Sequence, residues 1–125
     1  MIRSLPAARA KFLLASDRAR TLDNLAEPLK DAPMRVRRLG LPLAVAVWSR
    51  QGHDELVELL SNWLFSEWGA LEGHSIPQGA GPMLQELMTV EQQSPTLRSA
   101  MEIEAEELLQ VAKLLSDARS SERHG

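Results

Sequence analysis

Apolar residues recur at intervals of three and four positions through most of the chain, and this spacing is the feature that most constrains its fold. Residues so spaced share one face of an α-helix, whereas a half-buried strand would alternate at every second position. The first such series is Leu5, Ala8, Phe12, Ala15, Ala19, Leu22, Ala26 and Leu29. It predicts one long amphipathic helix over residues 5–29, which Pro28 is expected to end early because its ring clashes with the carbonyl four residues back.

Proline and glycine divide the remaining sequence into shorter helices. The predicted helices run over residues 33–39, 42–51, 53–68, 82–92 and 95–119. Asp31 and Ser94 precede two of them as candidate N-terminal caps. Residues 69–82 hold four Gly and two Pro, which predicts a loop.

The run from Leu43 to Trp48 is the one segment that also fits a buried strand, because it contains β-branched residues. No other segment offers a partner strand, so helix is the preferred interpretation. The sequence as a whole predicts an all-α fold, a single compact bundle of five or six helices over residues 1–125 with a frayed tail from about residue 120.

Composition excludes several kinds of chemistry. The chain has no Cys, so it forms no disulfide and offers no thiolate ligand or cysteine nucleophile. Its three histidines, His53, His74 and His124, lack the spacing that places two metal ligands on one helix face. We therefore expect no metal and no cofactor.

Other polar and aromatic patterns favour structural roles. The glycines of residues 79–82 are not followed by the Lys and Ser/Thr of a phosphate-binding loop. The three tryptophans are expected in the core. The acidic residues of the last predicted helix favour a solvated face over a catalytic pair, which would need burial. They are Glu102, Glu104, Glu106 and Glu107. We accordingly expect neither an enzyme nor a small-molecule substrate.

The longest apolar run, Leu39 to Trp48, has ten residues and is interrupted by Gly40 and Pro42, whereas a membrane span needs about 20. The first residues show no apolar segment followed by a cleavage site of the secretory type. These features predict a cytoplasmic protein that does not bind a membrane.

Charge is distributed unevenly along the chain. The net charge is −3, yet residues 1–50 carry ten Lys/Arg against four acids, and residues 51–125 carry four against thirteen. Such a division favours binding to a polyanion or assembly through complementary charges. The densest basic cluster is Arg35, Arg37 and Arg38. Together with Arg50, Arg18 and Arg20, these residues are the candidate contacts to a polyanion.

Residues 25–52 resemble the small helical subunit of type III-B (Cmr-type) CRISPR effector complexes, or the equivalent small subunit of a related CRISPR subtype. The resemblance lies in a proline-led helix, an apolar and basic turn, the pair Gly40-Leu41 and a small-apolar helix ending at Trp48. Trp63-Leu64 resembles the close of the family's next helix. The last helix, with Glu106-Glu107-Leu108-Leu109 followed by Ala112, looks similar as well.

The resemblance implies a non-catalytic subunit of an antiviral ribonucleoprotein. Its implied partners are the CRISPR backbone subunits, further copies of itself, the guide RNA and the target RNA. Several copies would stack along the guide–target duplex, and other subunits would perform cleavage. The implied RNA-binding residues, which contact RNA backbone, are Arg35, Arg37, Arg38, Arg50, Arg18 and Arg20.

Two alternatives remain open from the residues alone. In the first, residues 33–39 and 42–51 form a helix-turn-helix of a small DNA-binding regulator, although the second helix offers only Arg50 and Gln51 to base edges. In the second, the chain is a helical protein-interaction domain that binds no nucleic acid.

Overall fold

Helices account for nearly all of the chain that can be described. A computed structural model describes residues 9, 11–14, 22–66 and 79–124, and no strand occurs among them. Its helices are α1 (Ala26–Leu29), α2 (Ala32–Leu39), α3 (Leu41–Arg50), α4 (Asp54–Leu64), α5 (Ala80–Gln93) and α6 (Pro95–His124). Residues 9, 11–13 and 22–24 are helical as well. The all-α prediction is confirmed, and the strand alternative for Leu43–Trp48 is wrong.

The predicted single helix over residues 5–29 is wrong, because the backbone turns at Leu25 before α1 begins. Pro28 provides the physical reason. A continuous helix would set its ring against the carbonyl of Asn24, the last helical residue before the turn. In the short helix α1, Pro28 lies in the first turn, where a missing N–H has no cost.

The other helix boundaries differ from the predictions by a few residues. Helix α4 ends at Leu64, short of the predicted residue 68. Helix α5 begins at Ala80, two residues before the predicted start at Pro82, so Ala80 and Gly81 belong to the helix and not to the loop. Residues 67–78, which include most of that predicted loop and Trp68, lie outside the described residues. Helix α6 continues to His124, beyond the predicted end at residue 119.

The two predicted caps behave differently. The hydroxyl Oγ of Ser94 accepts a hydrogen bond of 3.2 Å from the backbone N–H of Leu97, which confirms it as the cap of α6. Asp31 precedes α2, but its side chain makes no cap hydrogen bond. Its carboxylate lies instead 3.5 Å from Nη2 of Arg35.

Helix α6 is the centre of the fold and contacts each of α1 to α5. Its apolar stripe includes Met101, Ala105, Leu108 and Ala112, all buried as the spacing predicts. Trp48 on α3 and Trp63 on α4 are each 1% exposed, so these two tryptophans are core residues as expected. The buried residues of all the helices form one continuous cluster.

Gly40 joins α2 to α3 without a loop. Its φ of 79° and ψ of 158° belong to a region that only glycine adopts readily. A Cβ atom added there would lie 3.1 Å from Oε1 of Glu102 on α6. The same Oε1 accepts a hydrogen bond of 3.4 Å from the backbone N–H of Leu41, the first residue of α3. Glycine at this position therefore allows a carboxylate of α6 to satisfy the start of α3.

Candidate nucleic-acid interface

Arg38 and Arg50 are exposed arginines without an acidic partner. Arg38 lies in the last turn of α2 and Arg50 ends α3. Within the described part of the chain, neither guanidinium forms an ion pair or a side-chain hydrogen bond. A cation in the last turn of a helix is stabilised by the carbonyl groups exposed there. Both guanidinium groups are thus free to bind an external anion.

Arg35 is held by neighbours on both sides. Its Nη1 donates a hydrogen bond of 3.2 Å to Oε1 of Gln51, and its Nη2 lies 3.5 Å from the carboxylate of Asp31. The side chain of Arg35 is 25% exposed. Because Gln51 follows Arg50 directly, the bond to Gln51 brings the middle of α2 next to the end of α3.

Arg37 is exposed but paired. Its Nη2 binds Oε1 of Glu106 on α6, and the same oxygen accepts a bond of 3.5 Å from Nε2 of Gln110. The side chain of Arg37 is 69% exposed, whereas that of Glu106 is 19% exposed. The carboxylate is therefore the more fixed member of this pair, and the guanidinium is the one that water and other anions can reach.

The arginines of the α2 cluster project from different sides of the helix. At about 100° per residue, Arg35 and Arg37 project roughly 160° apart around the helix. The contacts agree, since Arg35 reaches the residue after α3 and Arg37 reaches α6. Two of the three clustered arginines are thus engaged within the molecule, and Arg38 lies between them. The other two predicted RNA-binding residues, Arg18 and Arg20, lie outside the described residues.

A shallow cleft of about 270 Å³ borders Arg38 where α2 and α3 meet α5 and α6. Two large apolar side chains at this cleft are exposed, Leu39 at 41% and Leu43 at 59%. On the same cleft, Nε of Arg98 lies 3.2 Å from Oε1 of Glu91 and 3.8 Å from Oε1 of Glu102. The surface next to Arg38 therefore combines apolar contact area with charges that already neutralise one another.

The predicted solvated acidic face of α6 is wrong for Glu104, whose side chain is only 13% exposed. Its Oε1 and Oε2 accept bonds of 3.1 and 3.2 Å from Nε and Nη2 of Arg9, and Oε1 also accepts 2.8 Å from Nε1 of Trp63. Glu104 is three residues after Met101 and four before Leu108, so it shares their core-facing side. Burial of a carboxylate at that position costs free energy unless hydrogen-bond donors meet it.

Arg9 is the buried charged residue that the sequence pattern did not identify. Its side chain is 7% exposed and also binds Oε2 of Glu107, at 2.5 Å. The charge of Arg9 thus belongs to the core and is not available to an external partner. The signal that could have located it is the core-side position of Glu104, which requires a basic partner.

No group of three His, Asp or Glu side chains gathers as a metal site in the part of the chain that the structure covers. His53 precedes α4 without a side-chain cap bond, while His74 is outside that part. Nor does any helix among the described residues have the length and apolar character needed to cross a membrane.

Comparison with protein-family models, with curated proteins and with solved structures finds no match to this chain.

Proposed function

We propose that this chain is a non-catalytic small subunit of a CRISPR ribonucleoprotein effector complex and contacts RNA backbone through Arg38 and Arg50. The observation that carries the proposal is that both guanidinium groups are exposed and unpaired within the described residues, at the ends of two consecutive helices. The resemblance of residues 25–52 to the small helical subunit of type III-B complexes supplies the biological setting, a cytoplasmic antiviral complex.

The chemistry of arginine fits contacts to phosphate. A guanidinium binds two phosphate oxygens at once, and such contacts carry no sequence information. A guide complex requires this property, because base pairing between guide and target reads the sequence. Arg35, Arg37, Arg18 and Arg20 complete the proposed RNA-binding set.

The same division of charge supports assembly with further copies and with backbone subunits. Glu104, Glu106 and Glu107 are engaged by Arg9 and Arg37 within the chain. Helix α4 exposes three carboxylates that form no ion pair among the described residues, those of Asp54, Glu55 and Glu58. In the proposed stack of single-domain copies, these acids face basic residues of a neighbouring molecule.

A protein-interaction domain without nucleic acid is the second candidate, and one observation favours it. Leu39 and Leu43 are exposed beside a cleft whose charges, apart from Arg38, are paired within the chain, which suits a protein partner. The helix-turn-helix alternative has no comparable support, since α3 buries Leu41, Ala44, Val45 and Trp48 and would have to present its outer face to a DNA groove.

Fluorescence anisotropy with a labelled RNA duplex at low salt tests the proposal. The variant R38Q/R50Q is compared with K11Q/K113Q, which removes the same charge from the N-terminal segment and from α6. We expect R38Q/R50Q to weaken binding and to reduce the slope of log affinity against log salt by about 2, because two phosphate contacts are lost. Binding should not depend on RNA sequence.

Equal affinities of R38Q/R50Q and K11Q/K113Q would contradict the proposal. If the chain binds no RNA and the variant L39E/L43E loses binding to a protein partner, the protein-interaction candidate is favoured. Co-expression with CRISPR backbone subunits tests the setting directly. The charge reversal R35E/R37E/R38E should prevent incorporation into the complex or abolish target-RNA affinity.

A further inference from the structure

We infer that Glu106 competes with RNA phosphate for Arg37 and keeps this arginine paired in the free protein, an inference that rests on the proposed function. In the free protein Arg37 binds the Glu106 carboxylate, which occupies the position a phosphate oxygen would take. RNA gains the Arg37 contact only by displacing Glu106.

The two side chains differ in a way that suits exchange. Glu106 is 19% exposed and accepts a second bond from Gln110 on the same helix, so its carboxylate stays in place. Arg37 is 69% exposed and reaches Glu106 from α2. Its long side chain can turn outward without disturbing the core, because Val36 and Ala32 are the residues of α2 that are buried.

The position of Arg37 beside Arg38 explains what the competition achieves. Arg38 has no acidic partner within the described residues, so it binds any polyanion at no internal cost. Arg37 engages only when an anion reaches far enough around α2 to replace Glu106. The basic surface therefore favours an extended phosphate backbone, which contacts Arg38 and Arg37 together, over small anions, which bind the unpaired Arg38 or Arg50 without displacing Glu106.

Removal of Glu106 should then raise RNA affinity through Arg37 specifically. An exposed ion pair is worth up to about 1 kcal/mol, which corresponds to an increase of roughly 1.5-fold to 5-fold for E106Q. The salt slope should steepen by up to about 1. In the wild-type chain Glu106 regains cations when Arg37 leaves, which offsets the counterions released from RNA.

A double-mutant cycle with the same labelled RNA duplex separates this effect from a change in net charge. The four proteins are wild type, E106Q, R37Q and E106Q/R37Q. E58Q serves as the charge-matched control, because exposed Glu58 on α4 pairs with no residue that the structure describes. Thermal unfolding confirms that each protein is folded.

We expect R37Q to change affinity little in the wild-type chain and by roughly 1.5-fold to 5-fold in the E106Q chain. In the R37Q background, E106Q should act no more strongly than E58Q. Equal effects of E106Q in the wild-type and R37Q backgrounds would overturn the inference, as would a loss in R37Q as large as that in R38Q.

The two proposals fail in different ways. If R38Q/R50Q weakens RNA binding and the cycle shows no coupling, only the role of Glu106 is disproved. If neither R38Q/R50Q nor the cycle changes RNA affinity, the proposed RNA contact and the inference built on it are both disproved.

Discussion

Two glutamates of α6 each pair with an arginine from elsewhere in the chain. The two glutamates are similarly buried, but the two arginines are not. Glu104 and Glu106 are 13% and 19% exposed, but their partners Arg9 and Arg37 are 7% and 69% exposed. A buried guanidinium depends on its carboxylate because water cannot take the place of that carboxylate. An exposed guanidinium is hydrated when its carboxylate partner leaves. The same pair of residue types therefore holds the core together at Arg9 and remains exchangeable at Arg37.

The largest expected effect comes from removing each carboxylate in turn. We expect Glu104→Ala to lower the free energy of unfolding by about 3 kcal/mol, because Arg9 keeps only the half-exposed Glu107 and Trp63 loses its acceptor. Glu106→Ala should cost less than about 1 kcal/mol. Urea unfolding of the two variants measures the difference. Equal costs would show that burial of the arginine does not separate the two pairs.

The second-largest expected effect comes from removing the hydrogen bond between Trp63 and the buried Glu104. Trp63→Phe keeps most of the ring but removes the N–H that donates to Glu104. Trp48→Phe is the matched packing control, since Trp48 is equally buried and makes no side-chain hydrogen bond with any described residue. We expect Trp63→Phe to cost about 1 kcal/mol more than Trp48→Phe in urea unfolding. A larger cost for Trp48→Phe would contradict the role assigned to Nε1.

A third carboxylate of α6, Glu102, extends the comparison to a backbone contact. Gly40→Ala adds a Cβ 3.1 Å from Oε1 of Glu102 at φ 79°, while Gly52→Ala adds one at φ 82° with open space around it. Both substitutions place a side chain at a positive φ, at a cost of roughly 1–3 kcal/mol. We expect Gly40→Ala to lower the unfolding midpoint further, because Glu102 must also move. Equal shifts of the unfolding midpoint would mean that the Glu102 carboxylate moves away without a cost in stability.

The smallest effect applies the same reasoning to uncharged groups. The hydroxyl of Ser61 is buried and has no hydrogen-bond partner among the described residues, whereas that of Ser116 donates to the backbone carbonyl of Leu22 at 3.4 Å. Ser61→Ala should leave stability unchanged or raise it slightly, and Ser116→Ala should lower it by about 0.5–1 kcal/mol. Thermal unfolding of the two variants provides the measurement, and a loss on Ser61→Ala would indicate a partner for its hydroxyl.

Periodicity was sufficient to predict the all-α fold and most of the core, but not the break in the first predicted helix. The residues of α6 at three-four spacing lie on its inner face, because side-chain direction in a helix depends on local geometry. Met101, Ala105, Leu108 and Ala112 are buried, whereas Leu97 and Leu115 at the ends of the series are partly buried. Pro28 was recognised as a helix breaker, but the position of the break at Leu25 was not predicted, since a proline disrupts the turn before it and is tolerated in the turn it begins.

The candidate interface was less accessible to sequence reasoning. Arg35, Arg37 and Arg38 are adjacent in the sequence and look alike there, yet one binds Gln51, one binds Glu106 and one has no partner in the described structure. These differences depend on which helix packs beside each flank of α2. Local patterns do not contain that information, because α6 begins more than 50 residues later.

The pair between Arg9 and Glu104 also has a consequence for the order of folding. The two residues are 95 positions apart, and a second pair, Arg119 with Asp23, spans 96. Such contacts require closure of a long chain loop, whose entropic cost delays them relative to the neighbouring contacts of α2 with α3. We therefore expect the N-terminal segment to dock after the other helices have assembled. During refolding, amide hydrogens of residues 11–14 should consequently become protected from exchange later than those of α3.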